Sequence, residues 1–114
     1  MKKLLVFVLS DVEKLQPLLK KFKDHDIPGA TIFDSTGMGR ELADHDEFSL
    51  FGSMRNLINH NNQHTKTLLL VVEETQIEAI TKDIEDVLGS LDQPDSGILF
   101  ALPIEWVKGL KRLK

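Results

Sequence analysis

The sequence predicts an α+β fold of the ferredoxin-like type, in which a four-stranded antiparallel sheet carries two helices on one face. Three observations support this: four short apolar runs typical of strands, two stretches whose apolar residues recur at helical spacing, and the order βαββαβ. A chain of 114 residues suits one such unit, and we expect residues 1–114 to form a single domain.

Composition narrows the class of protein. With 41% hydrophobic and 28% charged residues, the chain is typical of a soluble globular protein. A net charge of −4 and the lack of a long basic run argue against nucleic-acid binding. No cysteine is present, so disulfides and thiolate metal sites are excluded. The N-terminal apolar run, residues 4–9, is too short for a signal peptide or a membrane span, and we expect a cytoplasmic protein.

The first half of the chain contains a strand, a helix and a second strand. Residues 4–9 form an apolar run that suits a strand buried on both faces. The helix that follows has an apolar stripe, and Pro17 predicts that it begins near residues 14–16, because proline is tolerated in a first turn. Pro28 then directs the chain into a second strand over residues 30–36.

The second half repeats the pattern after a long polar segment. Residues 67–72 predict a third strand. Thr75 and Glu78 suggest a capping box for the second helix, and Gly89 marks its C-terminus. Residues 98–102 predict the fourth strand, and the tail at 104–110 is compatible with either a helical turn or an added edge strand.

The most distinctive stretch follows the second strand, where the chain reads Gly37-Met-Gly-Arg40. Glycine permits positive φ and close approach of the backbone to a ligand, and the arginine guanidinium suits phosphate or carboxylate. A tight turn explains the same glycines, and the stretch alone leaves both interpretations open.

All four predicted strands are apolar on both sides, yet two helices can cover only one face of the sheet. We therefore expect other copies of the chain to bury the second face. The alternative is that the long segment at residues 37–63 folds back over it.

The two glycine sites give the chain a family resemblance. The chain contains Gly29-Ala-Thr31, then Gly37-Met-Gly-Arg40, then a long segment and a late run that starts at Gly97. This series resembles the PII signal-transduction superfamily, and most closely its PII-like branch. The resemblance covers nearly the whole chain. It implies a homotrimer with inward-facing sheets, adenine nucleotides bound in clefts between protomers, and a long T-loop at about residues 37–64.

The resemblance also implies which residues bind the nucleotide. The adenine end of the cleft corresponds to Gly29 and Thr31, and a basic residue that reaches across from the neighbouring protomer corresponds to Lys111. The remaining candidates form the base of the T-loop and the second phosphate loop, or B-loop: Gly37, Met38, Gly39, Arg40, Glu41, Asp95, Ser96 and Gly97. Glycine amides can donate to phosphate oxygens, and Arg40 can neutralise them.

Several positions depart from the family pattern. Ile98 follows the B-loop where the family has a lysine, and Gly109 aligns with a tail arginine. Two phosphate-binding cations are therefore missing, which favours a less charged adenine nucleotide or a weaker site. Glu41 replaces a glutamine, and Thr65 aligns with a lysine, so a magnesium and 2-oxoglutarate site is disfavoured.

The resemblance implies a non-enzymatic regulator whose effector is ATP, ADP, AMP or a cyclic nucleotide, and whose T-loop engages a target such as a membrane transporter or an enzyme. We weighed three alternatives. The first is a metal-binding trimer resembling the copper-tolerance family, with His60 and His64 as ligands; the second is a structural interaction module without ligand. The third is a small enzyme that uses loop carboxylates such as Asp44, Asp46 and Glu47. No metal site is predicted, and His25 is expected to be solvated.

Overall fold

One antiparallel sheet in the strand order β2-β3-β1-β4 organises the protein. The computed structural model describes residues 1–27, 29–43, 65–93 and 97–110. The strands are β1 (Lys2–Leu9), β2 (Thr31–Ser35), β3 (Thr65–Glu73) and β4 (Gly97–Pro103). All four predicted strands are confirmed, and β2 and β4 lie at opposite edges of the sheet.

Three α-helices accompany the sheet in the described residues: α1 (Leu15–Asp24), α2 (Met38–Ala43) and α3 (Ile77–Leu88). The start of α1 agrees with the prediction from Pro17, which occupies its first turn. A 3-10 turn at Val12–Lys14 precedes it, and the Asp11 carboxylate caps that turn by accepting from the Glu13 amide.

The start of α3 differs from the prediction. The capping box is formed by Glu73 and Gln76, and the Gln76 side chain accepts from the Glu73 amide at 2.8 Å. The predicted box of Thr75 and Glu78 is therefore wrong. Because β3 runs as far as Glu73, the strand's own last residue becomes the cap of the following turn. Gly89, with φ 86°, ends α3 as predicted.

The core lies between the sheet and helices α1 and α3. Alternate residues of the two central strands point to the same face and are buried there against apolar residues of the two helices: Leu5, Phe7, Leu9, Leu68, Leu70, Val72, Leu18, Phe22, Ile80 and Ile84. Each such side chain contributes about 2 kcal/mol by leaving water. The prediction of two helices on one face is confirmed.

The other face of the sheet, which we call the open face, is also apolar. It carries Val6 and Val8 at its centre, and the β4 residues paired with them are Phe100 and Ile98. Ile98 is 64% exposed and Phe100 45% exposed, and Phe33 on β2 is exposed to a similar degree. The prediction of a sheet that is apolar on both sides is confirmed. The alternative cover, residues 37–63, lies largely outside the described residues.

The first residues of β1 and the segment that follows β4 meet at the end of the sheet opposite the entry to α2. The ammonium of Lys2 contacts the Glu73 carboxylate, and this hydrogen bond lowers the pKa of Glu73. The Ile104 amide donates to the Lys2 carbonyl at 3.2 Å, after which residues 104–110 form neither helix nor strand. Both interpretations offered for this tail are therefore wrong. Pro103, which has no amide hydrogen, ends the regular pairing.

Candidate functional site

The stretch Gly37-Met-Gly-Arg40 begins a helix. The Glu41 amide donates to the Gly37 carbonyl at 3.1 Å, and α2 starts at Met38. The sequence left open an anion-binding loop or a tight turn at this stretch; the structure has a helix from Met38, and neither Gly29 nor Gly37 has a left-handed φ. The reason lies in the residues around the glycines, since Met38, Arg40 and the run up to Ala43 favour helix.

A side-chain contact closes the start of this helix. The Thr36 hydroxyl donates to the Glu41 carboxylate at 3.0 Å. Both residues are exposed, and Met38, in the position where the resemblance implies an aromatic, is 79% exposed. Arg40 lies in the same short helix, one residue before Glu41. Arg40, the candidate phosphate contact, is therefore adjacent to Glu41 in the sequence.

A cation on the strand next to β2 forms an ion pair with a β2 carboxylate. Lys66, near the start of β3, contacts the carboxylate of Asp34 on β2 directly across the strand pair. Asp34 is exposed and Lys66 is half-buried. This ion pair places a carboxylate beside Lys66, which offsets part of the attraction of Lys66 for an anionic ligand.

The candidate residues are divided between two edges of the sheet. Gly29 precedes β2, Thr31 is its first residue, and Gly37 follows it, all at one edge, whereas Gly97 is the first residue of β4 at the other. Three strand spacings separate these edges, about 14 Å. Asp95, Ser96 and Lys111 lie outside the described residues. Among the described candidates, Thr31 and Gly37 are therefore separated from Gly97 within one copy of the chain.

Gly37 and Gly97 nevertheless lie toward the same end of the sheet, whereas Thr31 is in the row of Leu69, Val6 and Phe100. Asp34 pairs with Lys66, Lys66 with Leu9, and Leu9 with Gly97, which makes one continuous row across all four strands. The residues that enter α2 therefore lie level with the start of β4. A second copy whose β4 edge approached this β2 edge would place Gly37 and Gly97 side by side.

Gly97 also has a structural role that its sequence context did not reveal. Its φ is +132°, and a Cβ at this position would stand 2.4 Å from the Val8 carbonyl oxygen and 3.0 Å from the Phe7 ring. Any side chain here would collide with β1 and with the core phenylalanine. Glycine at this position is thus required by the packing of β4.

Three hydroxyl groups meet where β2 ends and β3 begins, and the sequence reasoning missed them. The Ser35 Oγ lies 2.6 Å from the Thr65 Oγ1 and 2.8 Å from the Thr67 Oγ1. The Thr65 hydroxyl also donates to the Ser35 carbonyl at 2.8 Å. Thr65 and Thr67 are each 8% exposed. The signal available in the sequence was the Thr-x-Thr spacing, which places both hydroxyls on one face of a strand.

A second missed contact lies in the helical layer. The His25 Nδ1 lies 2.8 and 2.9 Å from the two carboxylate oxygens of Asp83, a buried residue of α3. His25 follows α1 directly and is still partly exposed. His25 is exposed to solvent, as predicted, and it is also the described hydrogen-bond partner of the buried Asp83 carboxylate.

Within the described ranges, no group of three or more His, Asp or Glu side chains could hold a metal ion. His60, His64 and the carboxylates Asp44, Asp46 and Glu47 fall outside those ranges. No described helix is long and apolar enough to cross a bilayer.

Comparison with known proteins places this architecture in a family. The family model described as nitrogen regulatory protein P-II matches residues 1–113. The chain belongs to the nitrogen regulatory protein P-II family. This confirms the resemblance drawn from the glycine motifs, and with it a regulatory class of protein. No curated protein matches the sequence.

A solved structure of low sequence identity has the same fold. The crystal structure of a functionally unknown protein from Pediococcus pentosaceus superposes with a TM-score of 0.61 at 14% sequence identity. The match covers 95% of this chain and 96% of that one, so the P-II chain shares its complete fold with that protein. At this identity the likeness concerns the fold alone.

Proposed function

We propose that this P-II family member is a cytoplasmic, non-enzymatic regulator that assembles as a trimer and binds an adenine nucleotide in the clefts between protomers. The whole chain acts as one domain. Nucleotide binding in turn controls a partner protein, such as a membrane transporter or an enzyme, through the T-loop at about residues 37–64.

The observation that carries this proposal is the division of the candidate residues between opposite edges of the sheet. Thr31 and Gly37 lie at the β2 edge and Gly97 at the β4 edge, with two strands between these edges, and the end of β2 that leads into Gly37 is level with Gly97. A ring of copies joins a β2 edge to a neighbouring β4 edge and completes the site. The same ring covers the apolar open face, whose exposure in a single chain is costly.

The charges at the β2 edge favour an adenine nucleotide with few phosphates. Lys66 is paired with Asp34, and Glu41 is held beside the entry to α2 by its bond from Thr36. The Asp34 carboxylate offsets Lys66, and the Glu41 carboxylate offsets the charge expected from Arg40. AMP, ADP or a cyclic nucleotide therefore suits the site better than ATP with its larger negative charge.

Calorimetric titration of the protein with ATP, ADP, AMP and cyclic adenine nucleotides tests the proposal. We expect saturable binding of at least one of them, with one nucleotide per chain, and a loss of about tenfold or more in affinity in Arg40→Ala. Lys82→Ala is the matched control, because Lys82 is an exposed cation on α3, away from β2. If no adenine nucleotide binds, the proposed function is wrong.

A further inference from the structure

The hydroxyls of Ser35, Thr65 and Thr67, which we call the hydroxyl chain, join the two strands between which the T-loop leaves and returns. Ser35 is the last residue of β2, Thr65 is the first residue of β3, and the two are directly paired. Thr67 lies one pleat further along the same face. The group is nearly buried although it stands at the end of a strand pair.

The hydrogen atoms of this group can be placed from the heavy-atom contacts. Each hydroxyl has one hydrogen to donate, and the Thr65 hydrogen goes to the Ser35 carbonyl. Thr65 Oγ1 must then accept the Ser35 hydrogen across 2.6 Å, which leaves Ser35 Oγ to accept from Thr67 across 2.8 Å. All three hydroxyl hydrogens are therefore donated. Thr67 donates to Ser35, Ser35 donates to Thr65, and Thr65 donates to the Ser35 carbonyl.

Ser35 is the central member of this chain. Its side chain both donates and accepts, and its carbonyl takes the last hydrogen bond. That carbonyl belongs to the peptide that leads into Thr36 and Gly37, directly before α2. Rotation of this peptide would withdraw the acceptor from Thr65 and release the whole chain of bonds. The start of β3 is therefore joined by hydrogen bonds to the peptide that leads into α2.

We propose that the hydroxyl chain is a positioning device for the candidate site. It fixes the peptide between Ser35 and Thr36, so that the backbone of residues 37–41 is held in the orientation seen here. Conversely, a ligand that reorients residues 37–41 loosens or tightens the first residues of β3. The identity of that ligand rests on the proposed function, whereas the positioning of the strand ends does not.

The competing explanation is that these are ordinary cross-strand hydroxyl contacts, each of small and independent effect. The directed arrangement makes a different prediction. Removing the central hydroxyl leaves Thr67 without its acceptor and Thr65 without its donor, and both are nearly buried. Removing the terminal hydroxyl at Thr67 leaves the bonds between Ser35 and Thr65 intact.

Native-state hydrogen exchange of the ligand-free protein, read over residues 31–35 and 65–69, tests this ordering. We expect Ser35→Ala to speed exchange there by about tenfold, Thr67→Val to have a smaller effect, and Ser35→Thr to restore the wild-type rates. Thr36→Ala is the matched control, because it removes the neighbouring hydroxyl, which bonds Glu41 instead. Equal exchange in Ser35→Ala and Thr36→Ala would overturn the proposal.

A second measurement separates this proposal from the proposed function. The same exchange experiment is repeated with each adenine nucleotide that binds in calorimetry. We expect the bound nucleotide to change the hydrogen-exchange rate of residues 65–69 in the wild type. In Ser35→Ala this change should be at least halved, because the hydroxyl chain is broken. A bound nucleotide that leaves these residues unchanged overturns the coupling. If none binds, the proposed function fails, and the ligand-free comparison still decides the role of the hydroxyl chain.

Discussion

The two faces of the sheet are built from similar residues and have different surroundings. On the face covered by α1 and α3, Phe7 and Leu5 are almost completely inaccessible to water. On the open face, Phe100 and Ile98 pair with the same strand, β1, and remain about half exposed or more. Apolar character alone therefore does not decide burial in this protein. One face is covered by helices of the same chain, whereas the described residues leave the other face exposed, and we propose that further copies cover it.

The largest expected effect on the free energy of unfolding comes from comparing one phenylalanine on each face. Phe7→Ala removes a fully buried ring and should lower the free energy of unfolding by about 3–5 kcal/mol. Phe100→Ala removes a half-exposed ring and should cost about 1 kcal/mol in a single chain. Urea unfolding of both variants measures the difference.

The dependence of the melting temperature on protein concentration also separates the two faces. If copies cover the open face, the melting temperature of the wild type rises with concentration, and Phe100→Ala weakens that dependence while Phe7→Ala does not. A melting temperature independent of concentration in the wild type would argue that the open face is not an interface.

The next effect concerns Gly97, the first residue of β4. Gly97→Ala forces a Cβ to 2.4 Å from the Val8 carbonyl at a φ of +132°, so it should cost about 1–3 kcal/mol for overpacking in addition to backbone strain. Gly89→Ala, at φ +86° with no atom within 4 Å of the added Cβ, is the control that carries the strain alone. Thermal unfolding compares them. Equal losses would show that β4 can move away from Phe7, and that Gly97 is not fixed by the core.

The last of the stability effects concerns the contact between helices α1 and α3. His25→Ala removes the described donor to the buried Asp83 carboxylate and should cost about 2 kcal/mol. Lys23→Ala, at an exposed position of α1, should cost much less. In the double variant with Asp83→Ala, the loss at His25 should largely disappear. Additive losses would mean that the two side chains do not interact in solution.

The elements that could be predicted from the sequence are those set by local pattern. Uniform apolar runs identified the four strands, and the spacing of Leu15, Leu18 and Phe22 identified α1. Helix α2 could not be found in this way, because two glycines outweighed the helix-forming residues between and after them. The same local reading placed the cap of α3 at Thr75 rather than Glu73, since the end of β3 was placed too early.

Contacts between distant residues could not be predicted. His25 and Asp83 are 58 residues apart, and nothing in either segment announces the pair. Ser35 and Thr67 are 32 residues apart and become neighbours only through the register of β2 and β3. The candidate site is harder still, because its two halves lie at opposite edges of the sheet. Only the family resemblance suggested that a second copy joins them.

Sedimentation equilibrium tests most directly whether the open face joins copies of the chain. We expect the wild type to have three times the 12.9 kDa mass of the chain, and Phe100→Asp, which places a charge on the open face, to sediment as a folded monomer. A wild type that remains at 12.9 kDa at the highest concentration that stays in solution would contradict the proposed intersubunit site.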